Sequence, residues 1–552
     1  MKLLEFGLVF YICSTKKLKN MSVIPKHNGN RVYENYSEDI NSEGWDVIVI
    51  GSGMGGMSVA AALSKLGRKV LVLEQHYIPG GFTHMFARKG YKWDVGVHVM
   101  GEMREGEIPA KMMKWLTNGK AEMVTLGDPY DGFYFPDDYD FQMAEGNQKF
   151  LAHLKSKFPG EEKILDNYWK TVKKVEMAAK AFFLFQTLPR WLEWPLSKIW
   201  YGLIFRNWWK VSTEDAINEF GMSEKLKRTL TSHWGYYGSV PKESSFGIHC
   251  LTHTHFWNGA FYPKGGAKKF AEYMLANVID KGGKVAVRAN VAEVLVKDGK
   301  AYGVRMEDGK EFKAPIIISA AGAKTTVNKL VPDNFKNSEW GNSLRSIGDS
   351  PSYLCLNIAF KGDIASKGAG SSNMWLYTID NNDQQLWDIT NLDEIPHLLY
   401  VSFPSMKDPE HERGQKETGE CVTFVDWDAF IKWDDSTFGN REVAYEELKA
   451  SIEKRLLDAL KKRIPDIIEQ VDFCELSTPL TSKHYCRASK GAIYGLNAST
   501  DRFSNPHLRT RTPIKNFYLS GVDIATVGVV SGMVSGILTA ATIDKRAYLK
   551  LL

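Results

Sequence analysis

The chain has 552 residues, 44% of them hydrophobic and 24% charged, with a formal net charge of +5. That composition suits a folded globular chain, long enough for three or four domains at roughly 150 residues each or for one large interleaved enzyme fold. The charge excess is too small and too dispersed for a nucleic-acid-binding protein, and six cysteines without a CxxC pair exclude a disulfide framework and a sequence-evident zinc site.

In chain order, no run of about 20 apolar residues appears, so a conventional spanning helix is not expected. Leu3 to Cys13 is apolar but short, broken by Glu5 and followed by Lys16, Lys17 and Lys19. A secretory signal carries its positive charge before the apolar run, so the preferred reading places the authentic start at Met21, ahead of a weak N-terminal anchor. Residues 22–44 are polar, rich in Asn, Ser and Glu and without periodicity, so 1–44 as a whole reads as an N-terminal lead-in. Trp45-Asp46-Val47-Ile48-Val49-Ile50 is then a buried-strand pattern, running into Gly51-Ser52-Gly53-Met54-Gly55-Gly56 and the helical Met57 to Leu63. A second strand, Lys69 to Leu73, ends at Glu74, 21 residues past Gly53.

Strand, glycines, helix, strand and acid together form a dinucleotide-binding unit. Gly51 permits the tight turn, Gly53 lets a pyrophosphate approach the backbone, and Gly56 lets helix and strand pack closely. Free N–H groups at the helix N-terminus face the phosphates, and Glu74 can accept bonds from ribose hydroxyls. Gly80-Gly81 offers a second close backbone approach. At the far end, Asn516 to Asp523 and then Gly528-Val529-Val530-Ser531-Gly532 read as a short strand, a turn with an acid and a helix N-terminus. No second such unit follows, so electrons are expected to come from, or go to, an external donor or acceptor.

These segments resemble the FAD-dependent family of phytoene desaturases, carotenoid isomerases and retinol saturases. Tyr262-Pro263-Lys264-Gly265-Gly266 matches the family's internal glycine signature, and Val285 through Ala320-Ala321-Gly322 its third strand group. Asp94-Val95-Gly96-Val97-His98 and Ile493-Tyr494-Gly495-Leu496 are most similar to the retinol-saturase and carotenoid-isomerase branch. Phe82 stands where amine-oxidase relatives carry Arg, against simple transfer of their chemistry. The resemblance implies an α/β, two-domain flavoprotein: a discontinuous Rossmann-type FAD-binding domain (45–104, 261–344 and 501–552) and an inserted α+β substrate domain (105–260 and 345–500). It implies FAD as cofactor, held by Gly51 to Gly56, Glu74, Gln75, Gly80, Gly81, Phe82, Val97, His98, Ala321, Gly322 and Gly521. Asp523 is expected on the ribityl chain, the amides of Val529 and Val530 at the flavin, and Val291 at the adenine. His98 and Tyr262 are expected near the flavin, and Tyr494 in a substrate tunnel.

The implied activity is saturation or desaturation of a C=C bond in a long apolar polyene or polyunsaturated lipid. A redox-neutral cis–trans isomerase and a lipid-binding flavoprotein without turnover are the alternatives. Residues 181–210 hold ten aromatics, with Arg190, Lys198, Arg206 and Lys210 among them and Glu193 the only acid. Trp and Tyr favour the headgroup zone and Lys/Arg favour anionic lipid, so this segment predicts a monotopic, membrane-dipping element on the cytoplasmic side; a dense aromatic core in a soluble protein is the alternative. Pro189 and Pro195 should break it into pieces too short to span. His249, His253 and His255 lack acidic or cysteine partners at ligand spacing, so no metal is expected there, and hydrogen-bonded pocket lining is.

Overall fold

The computed structural model describes residues 21–379 and 385–550. The expectations for Leu3 to Cys13 lie outside those residues. A six-stranded parallel sheet runs in the order Phe517–Leu519, Ile317–Ser319, Val47–Ile50, Val70–Glu74, Lys284–Val287 and Glu34–Asn35. Its central strands Ile317–Ser319, Val47–Ile50 and Val70–Glu74 are short, mostly β-branched or leucine runs buried at every position, as parallel sheets require, while the edge strand Glu34–Asn35 is exposed. Register aligns Ile50 with Leu73 on one side and Ser319 on the other, while Ser319 also pairs with Leu519. The carboxyl ends therefore share one edge. Chain order reverses at Val47–Ile50, the switch point where such sheets open a crevice for ligands. Glu34–Asn35 corrects the expected lead-in, because backbone pairing with Ala286 and Val287 makes it the edge strand.

Two helices close one face of this sheet. Met54–Lys65 packs against the C-terminal helix Gly528–Ile543 through small residues: a Cβ on Gly536 would sit 2.5 Å from Ser58 Cβ. The apolar core between them includes Met57, Ala61, Met533 and Ile537, all fully buried.

A seven-stranded, mostly antiparallel sheet runs 140–143, 131–134, 373–377, 398–402, 417–425, 352–360 and 471–477. Ser352–Phe360 and Glu417–Val425 are buried at every position. The period-two alternation explains it. Leu354, Leu356 and Ile358 enter one core while Tyr353 and Cys355 enter another, so the sheet is covered on both faces. Helices Glu162–Phe185 and Phe246–His255 pack over the second face.

Pro195 does not end a helix. It lies inside Arg190–Ile199, which starts after Pro189 and continues into a wide turn at Trp200–Ile204. The aromatic segment is also divided. Trp209 is buried, stacked on Phe182 at 4.4 Å and near Phe503 at 4.9 Å, and belongs to the core. Trp191, Trp194, Ile199, Leu203 and Ile204 are exposed.

Candidate functional site

One cavity of about 1400 Å³ lies between the two sheets. A pocket for one small ligand is usually about 300–1,000 Å³, so this one has room for a dinucleotide and a second molecule. Its floor is the edge where the parallel strands end: Gly51 to Gly55, Glu74, Gln75, Ala320, Ala321, Gly322, Gly521 and Asp523.

The glycines divide by what a side chain would meet there. Gly51 turns at φ +94°, and a Cβ on Gly56 would lie 2.1 Å from the Gly51 carbonyl oxygen. A Cβ on Gly55 would meet the Gly521 backbone at 2.5 Å, so that glycine locks the first unit to the C-terminal one. A Cβ on Gly53 meets no atom within 4 Å and would point into open space at the cavity floor. Helix Met54–Lys65 begins there with no side-chain cap, and so does Gly528–Ile543, whose Val529, Val530 and Ser531 line the cavity. Two uncapped helix N-termini in one cavity offer amide donors and positive dipole ends to an anionic cofactor.

The acids are organised by backbone donors. Glu74 Oε2 accepts from the Ser52 amide at 2.8 Å and the Ser52 hydroxyl at 2.6 Å, and Oε1 from the His76 amide at 2.8 Å. Each carboxylate oxygen has two lone pairs, so Oε1 keeps one for a ribose hydroxyl. Asp523 accepts from the Ala323 amide at 2.8 Å and the Leu496 amide at 3.0 Å, joining three distant stretches of chain. Gly495 is required beside it, because a Cβ there would lie 2.5 Å from Asp523 Oδ1. This donor set, together with the Gly53 opening, fits a dinucleotide.

Most of the expected site residues meet here. Ser52, Met54, Gly81, Phe82, His98, Val291, Tyr494, Val529 and Val530 line the cavity. Four expected residues do not. Gly56 is spent on packing, and Gly80 donates its amide to Ser52 Oγ at 3.2 Å. Val97 is buried in the apolar core under the sheet. Tyr262 is fully buried, its hydroxyl donating to Asp94, and it pins the strand Phe261–Pro263 to Asp94 rather than facing the cavity. Burial pushes Asp94 up to about 7, against the pull of the Tyr262 hydroxyl and the Ala267 amide.

The roof of the cavity comes from the seven-stranded sheet: Tyr353, Cys355, Trp375, Tyr400, Val422 and Phe424. It is an apolar, aromatic surface with few polar groups. His98 Nδ1 lies 2.9 Å from the fully buried Glu420 Oε2, and its ring meets Tyr400 edge-on at 5.4 Å. Glu420 carried no signal in the sequence. It sits mid-strand in Glu417–Val425, where an acid normally marks a solvent face. His76 and His84, both lowered to about 4 by burial, also line the cavity unannounced by any motif.

The histidines regroup. His255 Nδ1 meets Glu102 at 2.8 Å, while His249 and His253 gather with His233, their ring nitrogens within 4.8 Å of one another. Burial holds all three well below the ordinary histidine range, so they are neutral at physiological pH. His249 meets the Tyr168 hydroxyl at 2.8 Å and the Tyr237 hydroxyl at 3.2 Å.

Beyond the roof the cavity reaches Ala179, Lys180, Phe183 and Leu184 on helix Glu162–Phe185. That helix leads directly into the exposed aromatic element, where Trp191 is 77% and Leu203 84% exposed and Lys198 lies 3.9 Å over the Trp194 ring. Among the described residues no helix is long and apolar enough to cross a membrane.

Comparison with known proteins agrees with this geometry. Residues 49–114 match the model of the NAD(P)-binding Rossmann-like domain. A zebrafish (Danio rerio) all-trans-retinol 13,14-reductase is 33% identical over 97% of this chain and 91% of its own. A chloroplastic prolycopene isomerase of Arabidopsis thaliana is 26% identical, covering 90% of this chain and 82% of its own. Among solved structures, a putrescine oxidase variant redesigned for cofactor binding superimposes with a TM-score of 0.59 at 16% identity, covering 91% of this chain and 99% of its own, which is a likeness of fold. With a dinucleotide floor under an apolar roof and a relative matched nearly end to end, this chain is an oxidoreductase that belongs to the all-trans-retinol 13,14-reductase family.

Proposed function

We propose that this oxidoreductase binds FAD and saturates a carbon–carbon double bond of a long apolar polyene of retinoid or carotenoid type. One observation carries the reading: a single cavity joins two uncapped helix N-termini to an aromatic, apolar chamber. Bound there, FAD supplies the hydride chemistry. The segments 45–104, 261–344 and 501–552 hold it as one unit, and 105–260 with 345–500 enclose the polyene.

Gly53 and Met54 offer their amides to the pyrophosphate, beside Ser52, whose amide and hydroxyl brace Glu74. Glu74 and Gln75 meet the adenosine ribose, Val291 the adenine and Asp523 the ribityl chain. Gly81, Phe82, Ala321, Gly322 and Gly521 line the cofactor's path. The amides of Val529 and Val530 stabilise the negative charge that builds on a reduced flavin, since the helix dipole is positive there. His98, held by Glu420, and Tyr494 face the polyene beside the flavin. The aromatic roof excludes water and orients the chain by shape, which suits a substrate with almost no polar handles.

The exposed element Arg190–Ile199 with Trp200–Ile204 docks on an anionic membrane surface, with Arg190, Lys180 and Lys198 at the headgroups. Its neighbour, helix Glu162–Phe185, borders the cavity, so a water-insoluble substrate can enter from the bilayer. Reducing equivalents come from an external donor.

Gently purified protein should be yellow. Anaerobic reduction followed by all-trans-retinol or a carotenoid should re-oxidise the flavin and give a product that has gained two hydrogens. A product of unchanged mass and altered geometry assigns a redox-neutral isomerase instead. Protein that stays colourless after soaking with FAD removes the foundation of the reading.

A further inference from the structure

Saturation adds a hydride to one carbon and a proton to its neighbour, and at the cavity wall the Tyr236 hydroxyl has a buried carboxyl as its partner. We propose that Tyr236 is the residue that protonates the polyene, and that buried Asp131 returns the proton to it. The inference rests on the saturase reading above.

Tyr236 ends the tight turn Ser232–Tyr236 and lines the cavity. Its ring packs on Trp375 at 4.7 Å and Tyr400 at 6.2 Å, and Tyr400 in turn meets His98. A continuous aromatic wall thus leads from the His98 loop to the Tyr236 hydroxyl. That hydroxyl lies 2.5 Å from Asp131 Oδ2, a carboxyl with no exposed surface. Behind it, the Asn373 amide donates to Asp131 Oδ1 at 2.7 Å, and Lys407 Nζ donates to Asn373 Oδ1 at 2.5 Å. Lys407 also donates to the Ser402 hydroxyl and to the His98 carbonyl, each at 2.7 Å. A polar chain inside an otherwise apolar core costs free energy unless every member is satisfied, so its presence at the cavity wall marks a use.

The protonation states suit the role. Burial raises Asp131 to about 7, with Tyr236, Asn373, Lys407 and Trp375 pulling the other way. Burial lowers Lys407 to about 7 while Asp131, Glu420 and Asp94 raise it. As the structure stands, the Tyr236 hydroxyl donates to Asp131. Near neutral pH the carboxyl is close to half protonated, and in its protonated form it can donate to the Tyr236 oxygen instead, which frees the phenol O–H to turn toward the cavity.

The balance closes. With FAD bound and reduced, the two electrons would reach one carbon of the C=C bond as hydride. The π electron pair forms a new C–H bond to the proton leaving Tyr236. The Asp131 proton moves onto the Tyr236 oxygen, leaving Asp131 as a carboxylate, and Asn373 and Lys407 stabilise it until solvent restores the proton. Tyr494, by contrast, donates to the Gly235 carbonyl at 3.2 Å, a group with no proton to return.

The test uses the flavin-loaded full chain, reduced anaerobically and mixed with all-trans-retinol. Tyr236→Phe should slow flavin re-oxidation about a hundredfold or more, in the range of a lost general acid, with the flavin spectrum and retinol affinity unchanged. Tyr130→Phe, at a buried tyrosine beside Asp131 and outside this cavity's lining, should stay within about threefold of wild type. Asp131→Asn should remove the limb of the pH–rate profile near 7. In flavin-free protein, the infrared bands of protonated carboxyls should be present at mildly acidic pH and titrate near 7, with one component lost in Asp131→Asn and the other, from Asp94, lost in Asp94→Asn. Re-oxidation by Tyr236→Phe at the wild-type rate with an unchanged pH profile overturns the relay while the saturase reading stands. An infrared spectrum unaltered by Asp131→Asn also overturns it. Wild-type protein that binds FAD yet is never re-oxidised by the polyene overturns the saturase reading, and the relay falls with it.

Discussion

Asp94 gives the sharpest test of the electrostatics. It is fully buried, accepts from the Tyr262 hydroxyl and from the Ala267 amide at 2.9 Å, and is pushed up to about 7 from an ordinary 3.8. Burial is the main cause, and the nearby Glu420 and Asp408 push the same way. A carboxyl whose folded pKa is raised binds more protons folded than unfolded between those two values. Stability therefore falls as pH rises from about 4 to about 7, and the cost is complete above the folded value. A shift of about three units at 1.36 kcal/mol each bounds that cost at about 4 kcal/mol. Asp94→Asn keeps the shape and cannot ionise. The gap between variant and wild-type unfolding free energies, measured in urea at a series of pH values from 5 to 8, should move in the variant's favour by about 2–3 kcal/mol and level off above the folded value. A gap that stays constant across the series would show that Asp94 titrates normally and that the burial argument is wrong.

Two glycine substitutions separate packing from cofactor binding. Gly55→Ala drives a methyl group into the Gly521 backbone and should destabilise the flavin-free protein by about 1–3 kcal/mol in thermal or urea unfolding. Gly53→Ala meets no protein atom, so it should leave flavin-free stability nearly unchanged and weaken FAD binding at least tenfold by fluorescence titration. Replacing exposed Trp191, Trp194 and Leu203 together by Ser should abolish flotation with anionic vesicles, while the same protein keeps its flavin spectrum. Undiminished flotation would assign that face another role.

Local pattern made the nucleotide end of this chain legible. The strand Val47–Ile50, the glycine turn, the helix and Glu74 are contiguous, and each residue type is demanded by geometry within a few residues of itself. The same holds for Gly521, Asp523 and the small-residue helix after them. Tyr262 misled, because a motif match fixes where a residue lies in the chain and not which way its side chain turns. Asp94 captures its hydroxyl.

What sequence alone determined, then, is the dinucleotide-binding unit and the fold class, since these depend on backbone conformation and periodicity close to each residue; the apolar substrate was implied by family resemblance. Tertiary structure decided the rest. It put Trp209 in the core and Trp191 outside, though both belong to one aromatic run. It set Glu420 behind His98, and brought Asp131, Tyr236, Asn373 and Lys407 into one buried chain from segments up to 276 positions apart. The physical reason is that a buried charge gains its meaning from partners and lost water, and neither is recorded in the residues beside it.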